Sequence, residues 1–177
     1  VVSIAAGKTT EFIEKLLGFR APVIRIMPNI NATVLEAMSA YCCSESVTDD
    51  QKEFVNKLCS SFGKVMPLPE SYFPLFCSIA GCAPAYAYMF IDSLARSAVK
   101  NGMNKSVALE IAAQTVLGSA KKILESDEHP WELIDKVCSP GGTTIEGIVS
   151  LQKDGFESTV CNAVDAALQK DKKFDAY

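Results

Sequence analysis

Histidine is almost missing from this sequence, since His129 is the single one among 177 residues. The seven cysteines are odd in number and lie inside apolar stretches rather than at ligand spacing, so no metal site is predicted. We expect the cysteines to be small buried side chains with free thiols in a reducing compartment. His129 precedes Pro130, which favours a helix cap over an acid or base role.

Clusters of one charge are also missing. The formal net charge is -4, and the basic residues are scattered along the chain. This distribution argues against nucleic acid or an anionic membrane as the main partner. No apolar run approaches the roughly 18 residues of a membrane helix, and no signal peptide opens the chain. A cytoplasmic protein with neither membrane nor nucleic acid as partner is therefore expected.

A third absence concerns nucleotide binding, because no G-x-G-x-x-G motif follows a strand anywhere. The first 68 residues nevertheless alternate predicted strands and helices. Strands are predicted at 1–6 (buried), 23–27, 37–43 and 64–66, and helices at 11–17 and 49–62. Strand, crossover helix and strand form the unit of a doubly wound parallel sheet.

From residue 69 onward the sequence predicts helices only. They are expected at 71–77, 85–100, about 104–124, 131–137, 145–151 and 156–169. The fold class is therefore α/β followed by all-α, with domains at 1–68 and 69–177. The helices of 85–124 are apolar around much of their circumference, which favours a homodimer or higher homo-oligomer over burial within one small domain.

The loop between the helices at 131–137 and 145–151 has the chemistry of an anion cradle. Pro140 pre-sets a turn, Gly141 and Gly142 let the backbone bend, and Thr143 and Thr144 stand where a helix begins with unpaired N–H groups. A carboxylate or phosphate there would meet free amides and the positive end of a helix dipole. The alternative is an ordinary helix cap formed by either threonine.

Residues 133–152, LIDKVCSPGGTTIEGIVSLQ, resemble the signature region of pyrroline-5-carboxylate reductase, the enzyme that makes proline. The resemblance continues, in the family's order, through residues 1–7, 25–29, 81–86 and 114–119. It implies the C-terminal part of a Rossmann-like parallel sheet, followed by a helical dimerisation and substrate-binding domain. Residues 1–68 would be an NAD(P)-binding domain that lacks its G-x-G-x-x-G half.

The family transfers a hydride from NADPH, or from NADH in some members, to the imine carbon of 1-pyrroline-5-carboxylate. The resemblance makes Thr144 the catalytic residue, through a hydrogen bond to the ring nitrogen. It assigns substrate binding to Glu70, Ser139, Gly141, Gly142, Thr143 and Thr144, and cofactor binding to Ile4, Ala5, Ala6, Met27, Pro28, Asn29 and Lys136.

Simpler roles are open for several of these residues. Glu70 is equally well explained as a carboxylate at a helix start with no ligand contact. The small residues Ala5 and Ala6 would also suit tight packing of a strand against a helix, and Asn29 would suit a turn that ends a strand.

Two departures from the family pattern bear on the substrate. Lys136 stands where many relatives carry an amide side chain, and Gly81-Cys82-Ala83-Pro84 replaces the usual Gly-Ser-Gly-Pro. Alanine at 83 forbids an easy positive φ, and cysteine at 82 replaces a hydroxyl. A relative that acts on another cyclic imine or acid is therefore a further alternative.

The missing pyrophosphate motif has a consequence for activity. We expect these residues to be part of a longer reductase and to be nearly inactive by themselves, because the main pyrophosphate site is absent. The alternative, from another class of protein, is a non-catalytic dimerisation or regulatory module derived from the same family.

Overall fold

The computed structural model describes residues 1–171, so the predicted domain 69–177 extends past the described part. The chain forms two compact units. The sheet unit comprises Val1–Pro84 together with the described residues 163–171, and the helical unit comprises Ala85–Asn162. These bounds differ from a division at residue 68, and the functional division into 1–68 and 69–177 stays a prediction.

The sheet unit contains four strands in the order β1-β2-β3-β4. Their bounds are β1 Val2–Ser3, β2 Ile24–Met27, β3 Ala37–Cys43 and β4 Gly63–Pro67. Two helices connect them, α1 Thr10–Leu17 between β1 and β2, and α2 Asp49–Ser60 between β3 and β4. An α/β arrangement followed by helices was predicted, and it is confirmed.

The sheet is mixed rather than wholly parallel. β1 pairs with β2 and β3 pairs with β4 in parallel, as predicted, whereas β2 and β3 are antiparallel. A parallel pair needs a crossover of a dozen or more residues, which α1 and α2 provide. Between β2 and β3 the chain has only a short loop with a 3₁₀ turn at Ile30–Val34, so it can return only in the opposite direction.

The first strand is shorter and more exposed than predicted. Only Val2–Ser3 form β1, and the side chains of Val2 and Ile4 are 48% and 72% exposed. β1 lies at the edge of the sheet with β2 as its neighbour, so its other edge has no sheet partner among the described residues. The prediction of a buried strand at 1–6 was therefore wrong.

The core of the sheet unit lies between the sheet and α2. It comprises Ile24, Ile26, Tyr41, Val47, Val55 and Cys59, with Cys43, Phe62 and Val65 packed against it. α2 begins with a capping box in which Thr48 and Gln51 exchange hydrogen bonds, and Thr9 caps α1 by accepting from the Phe12 N–H.

After β4 the chain enters a long helical stretch of changing type. A 3₁₀ turn at Glu70–Tyr72 leads into α3, Phe73–Phe76, then a π-helical turn at Cys77–Gly81, and α4, Ala83–Lys100. By length and composition alone, Glu70–Lys100 is long and apolar enough to cross a membrane, and little of its apolar part is buried. The expectation that no apolar run is that long was wrong.

The helical unit continues with α5 Lys105–Leu124, α6 Pro130–Val137 and α7 Thr143–Lys153, and α8 spans Phe156–Asp171. Asn104 caps α5, and His129 caps α6 by accepting from the Trp131 N–H at 3.3 Å, as predicted. The buried cluster of the helical unit consists of Ala95, Ala108 and Ala112, and Ile91 and Ala98 pack against it. Small alanines alone cannot bury the large apolar side chains of α4 and α5.

Gly63, at the start of β4, allows a test of the β3–β4 pairing. Its φ is +152°, and a Cβ there would stand 2.2 Å from the Ala37 carbonyl oxygen and 2.4 Å from the Ala37 nitrogen. Because both atoms are backbone, we expect Gly63→Ala to lower the free energy of unfolding by about 3 kcal/mol or more, measured by urea denaturation.

The matched control is Gly147→Ala inside α7, where an added Cβ meets nothing within 4 Å. This change should alter the free energy of unfolding by no more than about 1 kcal/mol. Equal stability of the Gly63→Ala and Gly147→Ala proteins would contradict the β3–β4 register.

Candidate functional site

The predicted cradle lies in the helical unit, between the end of α6 and the start of α7. Cys138 leaves α6 with an extended backbone, and the turn that follows is closed by the Gly142 N–H, which donates to the Ser139 carbonyl at 2.9 Å. Gly141 adopts a φ of +69°, a left-handed conformation that glycine reaches without strain. The turn delivers Thr143 to the first position of α7.

The start of α7 has no side-chain cap. The N-cap residue is Gly142, with an extended backbone and no capping hydrogen bond from a side chain. A cap formed by Thr143 or Thr144, the simpler alternative, is therefore not observed. The first-turn N–H groups of a helix point outward along its axis, and without a cap they are available to an anionic ligand.

Gly142 also brings the loop close together. A Cβ at this position would lie 2.4 Å from the Ser139 hydroxyl and 3.0 Å from the Ser139 carbonyl oxygen. Ser139 thus packs directly against the N-cap backbone and steadies the turn. Ser139, Gly141 and Gly142 lie in the turn, and Thr143 and Thr144 lie in the first turn of α7. Their contact with a substrate stays a prediction.

Thr144 faces an open cavity of about 640 Å³ in the same unit. Its lining is largely apolar and comes from α5, α6 and α7, including Gly118, Leu133, Ile134 and Ile148. Lys136 lies on the wall of this cavity as well. The helix start offers free amides and a threonine hydroxyl beside this apolar cavity. Such a site suits a small, mostly apolar ring that bears a carboxylate.

Lys136 is engaged with a neighbour that the sequence analysis did not single out. Its ammonium group donates to the Glu128 carboxylate, and both side chains are substantially exposed. The hydrogen bond from Lys136 lowers the pKa of Glu128. Whether Lys136 contacts a cofactor stays a prediction, and any such contact has to compete with Glu128.

The remaining predicted residues belong to the sheet unit. Ile4, Ala5 and Ala6 follow β1 and are exposed, while Met27, Pro28 and Asn29 follow β2 or end it. Because β1 and β2 are parallel, their carboxyl ends meet at one edge of the sheet. Ligands of open α/β sheets bind at such edges, and the exposed alanines leave room for a flat ring or a ribose.

Asn29 joins β3 to the π-helical turn at Cys77–Gly81. Its amide nitrogen donates to the Ala80 carbonyl at 3.0 Å, and its amide oxygen accepts from the Met38 N–H at 3.3 Å. Pro84, four residues after Ala80, has no N–H, so it cannot donate to the Ala80 carbonyl in the α-helical pattern. Asn29 therefore ties the segment after β2 to both elements, and direct cofactor contact stays a prediction.

Glu70 is bound on both oxygens by residues of the sheet unit. Oε1 accepts from the Thr10 N–H at 2.9 Å and from Arg25 Nη1 at 3.0 Å, and Oε2 accepts from the Thr10 hydroxyl at 2.8 Å. The Arg25 guanidinium also lies 4.6 Å from the centre of the Phe73 ring. Glu70 thus caps α1, a helix other than the one it begins.

The Cys42 thiol is part of the same cluster. Burial raises its pKa to about 12, and the negative charge of Glu70 adds to this shift. This shift favours the protonated thiol over the thiolate that acts as a nucleophile. All seven cysteines are free thiols, but only Cys59 is fully buried and Cys161 is exposed. The expectation of buried cysteines holds for Cys59 and fails for Cys161.

The departures at Cys82 and Ala83 fit the backbone without strain. The Cys82 N–H donates to the Cys77 carbonyl at 3.0 Å, which closes the π-helical turn, and Ala83 begins α4. Among the described residues, Leu35 is the non-glycine position with positive φ, so Ala83 carries no such conformation. The penalty anticipated for alanine at this position does not arise.

Three residues of these clusters, Thr10, Arg25 and Glu128, were missed from sequence. Arg25 had a usable signal, since a charged residue inside the apolar strand Val23-Ile24-Arg25-Ile26-Met27 requires a buried partner. Thr10 and Glu128 had none, because their partners lie 60 and 8 residues away on other elements.

Comparison with known proteins gives consistent results. A family model described as pyrroline-5-carboxylate reductase dimerisation matches residues 70–174. The chain is 40% identical over 173 residues to the pyrroline-5-carboxylate reductase of Aquifex aeolicus, and 40% identical over 173 residues to that of Escherichia coli. Each match covers 98% of this chain but only 65% and 64% of those relatives' lengths.

Solved structures show the same similarity. The pyrroline carboxylate reductase of Plasmodium falciparum, solved with NADP bound, matches 99% of this chain and 71% of its own, at 35% identity and a TM-score of 0.92. The 1-pyrroline-5-carboxylate reductase of Streptococcus pyogenes matches 97% of this chain and 66% of its own, at 41% identity and a TM-score of 0.91.

Proposed function

Because the chain belongs to the pyrroline-5-carboxylate reductase family, we propose that it carries the substrate-binding and catalytic residues for reduction of 1-pyrroline-5-carboxylate to L-proline. The observation that carries the proposal is the uncapped start of α7, with Thr144 in its first turn beside an apolar cavity. The substrate is a small ring with one carboxylate and one ring nitrogen, which is what this arrangement suits.

The residues of the helical unit would bind and orient the ring. The first-turn amides that begin at Thr143 hold the carboxylate, where the helix dipole adds to the hydrogen bonds, because the Gly142 N–H already donates to the Ser139 carbonyl. Ser139 fixes the turn that presents those amides. The Thr144 hydroxyl, which can both donate and accept, hydrogen-bonds the ring nitrogen and helps keep a proton there as the C=N bond is reduced.

The residues of the sheet unit would serve a nicotinamide cofactor. When bound, the cofactor supplies the hydride that reaches the imine carbon. Exposed Ile4, Ala5 and Ala6 and the adjacent Met27-Pro28-Asn29 fit its nicotinamide half, because small side chains at the carboxyl ends of parallel strands allow close approach. We propose NADPH, with NADH as the alternative, and a pyrophosphate site that these 177 residues do not supply.

We also propose that two copies of the chain associate through α4 and α5. The helical unit leaves large apolar side chains uncovered, among them Met89 at 74%, Leu117 at 58% and Tyr88 at 58% exposure. The family model that covers this region is described by dimerisation. A partner subunit would bury the same apolar stretch that by composition could cross a membrane, and free thiols fit a cytoplasmic location.

Catalysis can be tested in a fusion of this chain to the part of the Escherichia coli relative that it does not cover. We expect the fusion to oxidise NADPH with 1-pyrroline-5-carboxylate, and Thr144→Ala to lower kcat by about 100-fold because a proton-handling hydroxyl is lost. Steady-state NADPH absorbance gives both values.

Thr144→Ser is the control, since it keeps a hydroxyl and should retain most of the turnover. Full activity of Thr144→Ala would remove Thr144 from the mechanism. A fusion that is folded, dimeric and inactive would instead favour a non-catalytic dimerisation module, and activity only with another cyclic imine would correct the substrate.

The assembly has its own test by analytical ultracentrifugation. The chain should sediment as a dimer or a larger oligomer, and Met89→Glu should shift it toward monomer because a charge would enter an apolar interface. Lys153→Glu, at the exposed end of α7, is the control and should leave the assembly unchanged. A monomeric chain that floats with neutral vesicles would contradict the dimer and support membrane association.

A further inference from the structure

We propose that Glu70 is a positioning residue that holds the cofactor loop, residues 4–9, through Thr10 and Arg25, rather than a residue that touches the substrate. The inference rests on the proposed function for the identity of the ligand at that loop. The contacts that carry it lie entirely within the sheet unit.

Both carboxylate oxygens of Glu70 are already in use. Two of the three hydrogen bonds come from Thr10, through its N–H and its hydroxyl, and the third comes from Arg25. The Arg25 side chain is 9% exposed and that of Glu70 is 27% exposed. A substrate that took one of these oxygens would leave a buried guanidinium or a helix N–H without its partner, which opposes such binding.

These contacts fix the far end of the loop. Thr10 is the first residue of α1, directly after the loop, and its N–H is one of the first-turn donors that the Thr9 cap does not satisfy. Thr9 satisfies the Phe12 N–H instead, at 3.1 Å. The two caps are complementary: Thr9 caps α1 from the position next to the helix, and Glu70 caps it from 60 residues after Thr10.

The near end of the loop is fixed by strand pairing to Arg25, the residue that Glu70 binds. Arg25 on β2 is the register partner of Ser3, the last residue of β1, immediately before Ile4. Arg25 is held between the Glu70 carboxylate and the face of the Phe73 ring. Strand pairing to Arg25 and capping by Glu70 therefore determine where the loop starts and where it ends.

Amide hydrogen exchange on this chain tests the mechanical part directly. We expect Glu70→Ala to raise exchange about tenfold at Thr10 and across residues 4–13, with the β3–β4 amides unchanged. The control is Glu45→Ala, which removes an exposed carboxylate paired with Arg20 in the same unit and should change nothing. A uniform rise across the sheet unit, or no rise at Thr10, would overturn the proposal.

Kinetics of the fused reductase test the functional part. Glu70→Ala should raise the KM for NADPH about tenfold, and should leave kcat and the KM for 1-pyrroline-5-carboxylate within twofold. A raised KM for 1-pyrroline-5-carboxylate with unchanged exchange would show substrate contact and overturn the proposal. If the unaltered fusion has no reductase activity, the proposed function fails, and the exchange result still decides whether Glu70 holds the loop.

A second pair of variants covers the case in which Glu70→Ala does not fold. Thr10→Val keeps the Arg25–Glu70 pair and removes only the hydroxyl donor, so it should raise exchange in residues 4–13 and the KM for NADPH in the same direction by a smaller factor. Thr10→Ser keeps the hydroxyl and should restore both values. Identical behaviour of the valine and serine variants would overturn the role of this contact.

Discussion

The buried guanidinium of Arg25 is the constraint on which the sheet unit depends. A charge that is nearly removed from water costs several kcal/mol unless hydrogen bonds and an opposite charge compensate it. Glu70 supplies the charge, and the Phe73 ring supplies a face for the cation. Because these partners come after β4 while Arg25 lies on β2, the ion pair ties the chain that leaves the sheet back to its second strand.

The helical unit obeys a different constraint, which is the use of glycine where a cap would be expected. Serine, threonine, aspartate or asparagine at the N-cap would satisfy the first-turn amides of α7 from within. Gly142 leaves them unsatisfied, and its missing Cβ lets Ser139 pack against the backbone. The local stability lost here is only about a few tenths of a kcal/mol, because glycine is itself tolerated at an N-cap, and a carboxylate ligand at the helix start can recover it.

Much of the fold could be predicted from sequence where the deciding physics is local. β3 was predicted with its observed bounds, and the caps Thr9, Asn104 and His129 follow from side chains placed next to the helices they cap. The antiparallel pairing of β2 with β3 and the π-helical turn at Cys77–Gly81 were missed. Both depend on how separate segments pack, which periodicity does not encode.

In the candidate site, too, local features could be predicted from sequence and long-range contacts could not. The glycines and threonines at 139–144 predict a helix start, so the cradle could be found from sequence. The alternative of a threonine cap is not observed, because Gly142 is the N-cap residue. Glu70 could be identified as a candidate from sequence, but its role could not be predicted, because its partners Thr10 and Arg25 are 60 and 45 residues away. Long-range hydrogen bonds of this kind become visible only in the folded chain.

If the start of α7 binds the carboxylate of a small ring, NMR titration of the ¹⁵N-labelled chain with L-proline will show it at the amides of that helix start. We expect the amides of Thr143 and Thr144, the first two residues of α7, to shift with proline and not with pyrrolidine, which lacks the carboxylate. Equal shifts with both compounds, or proline-dependent shifts that leave these two amides unmoved, would show that α7 does not bind the carboxylate.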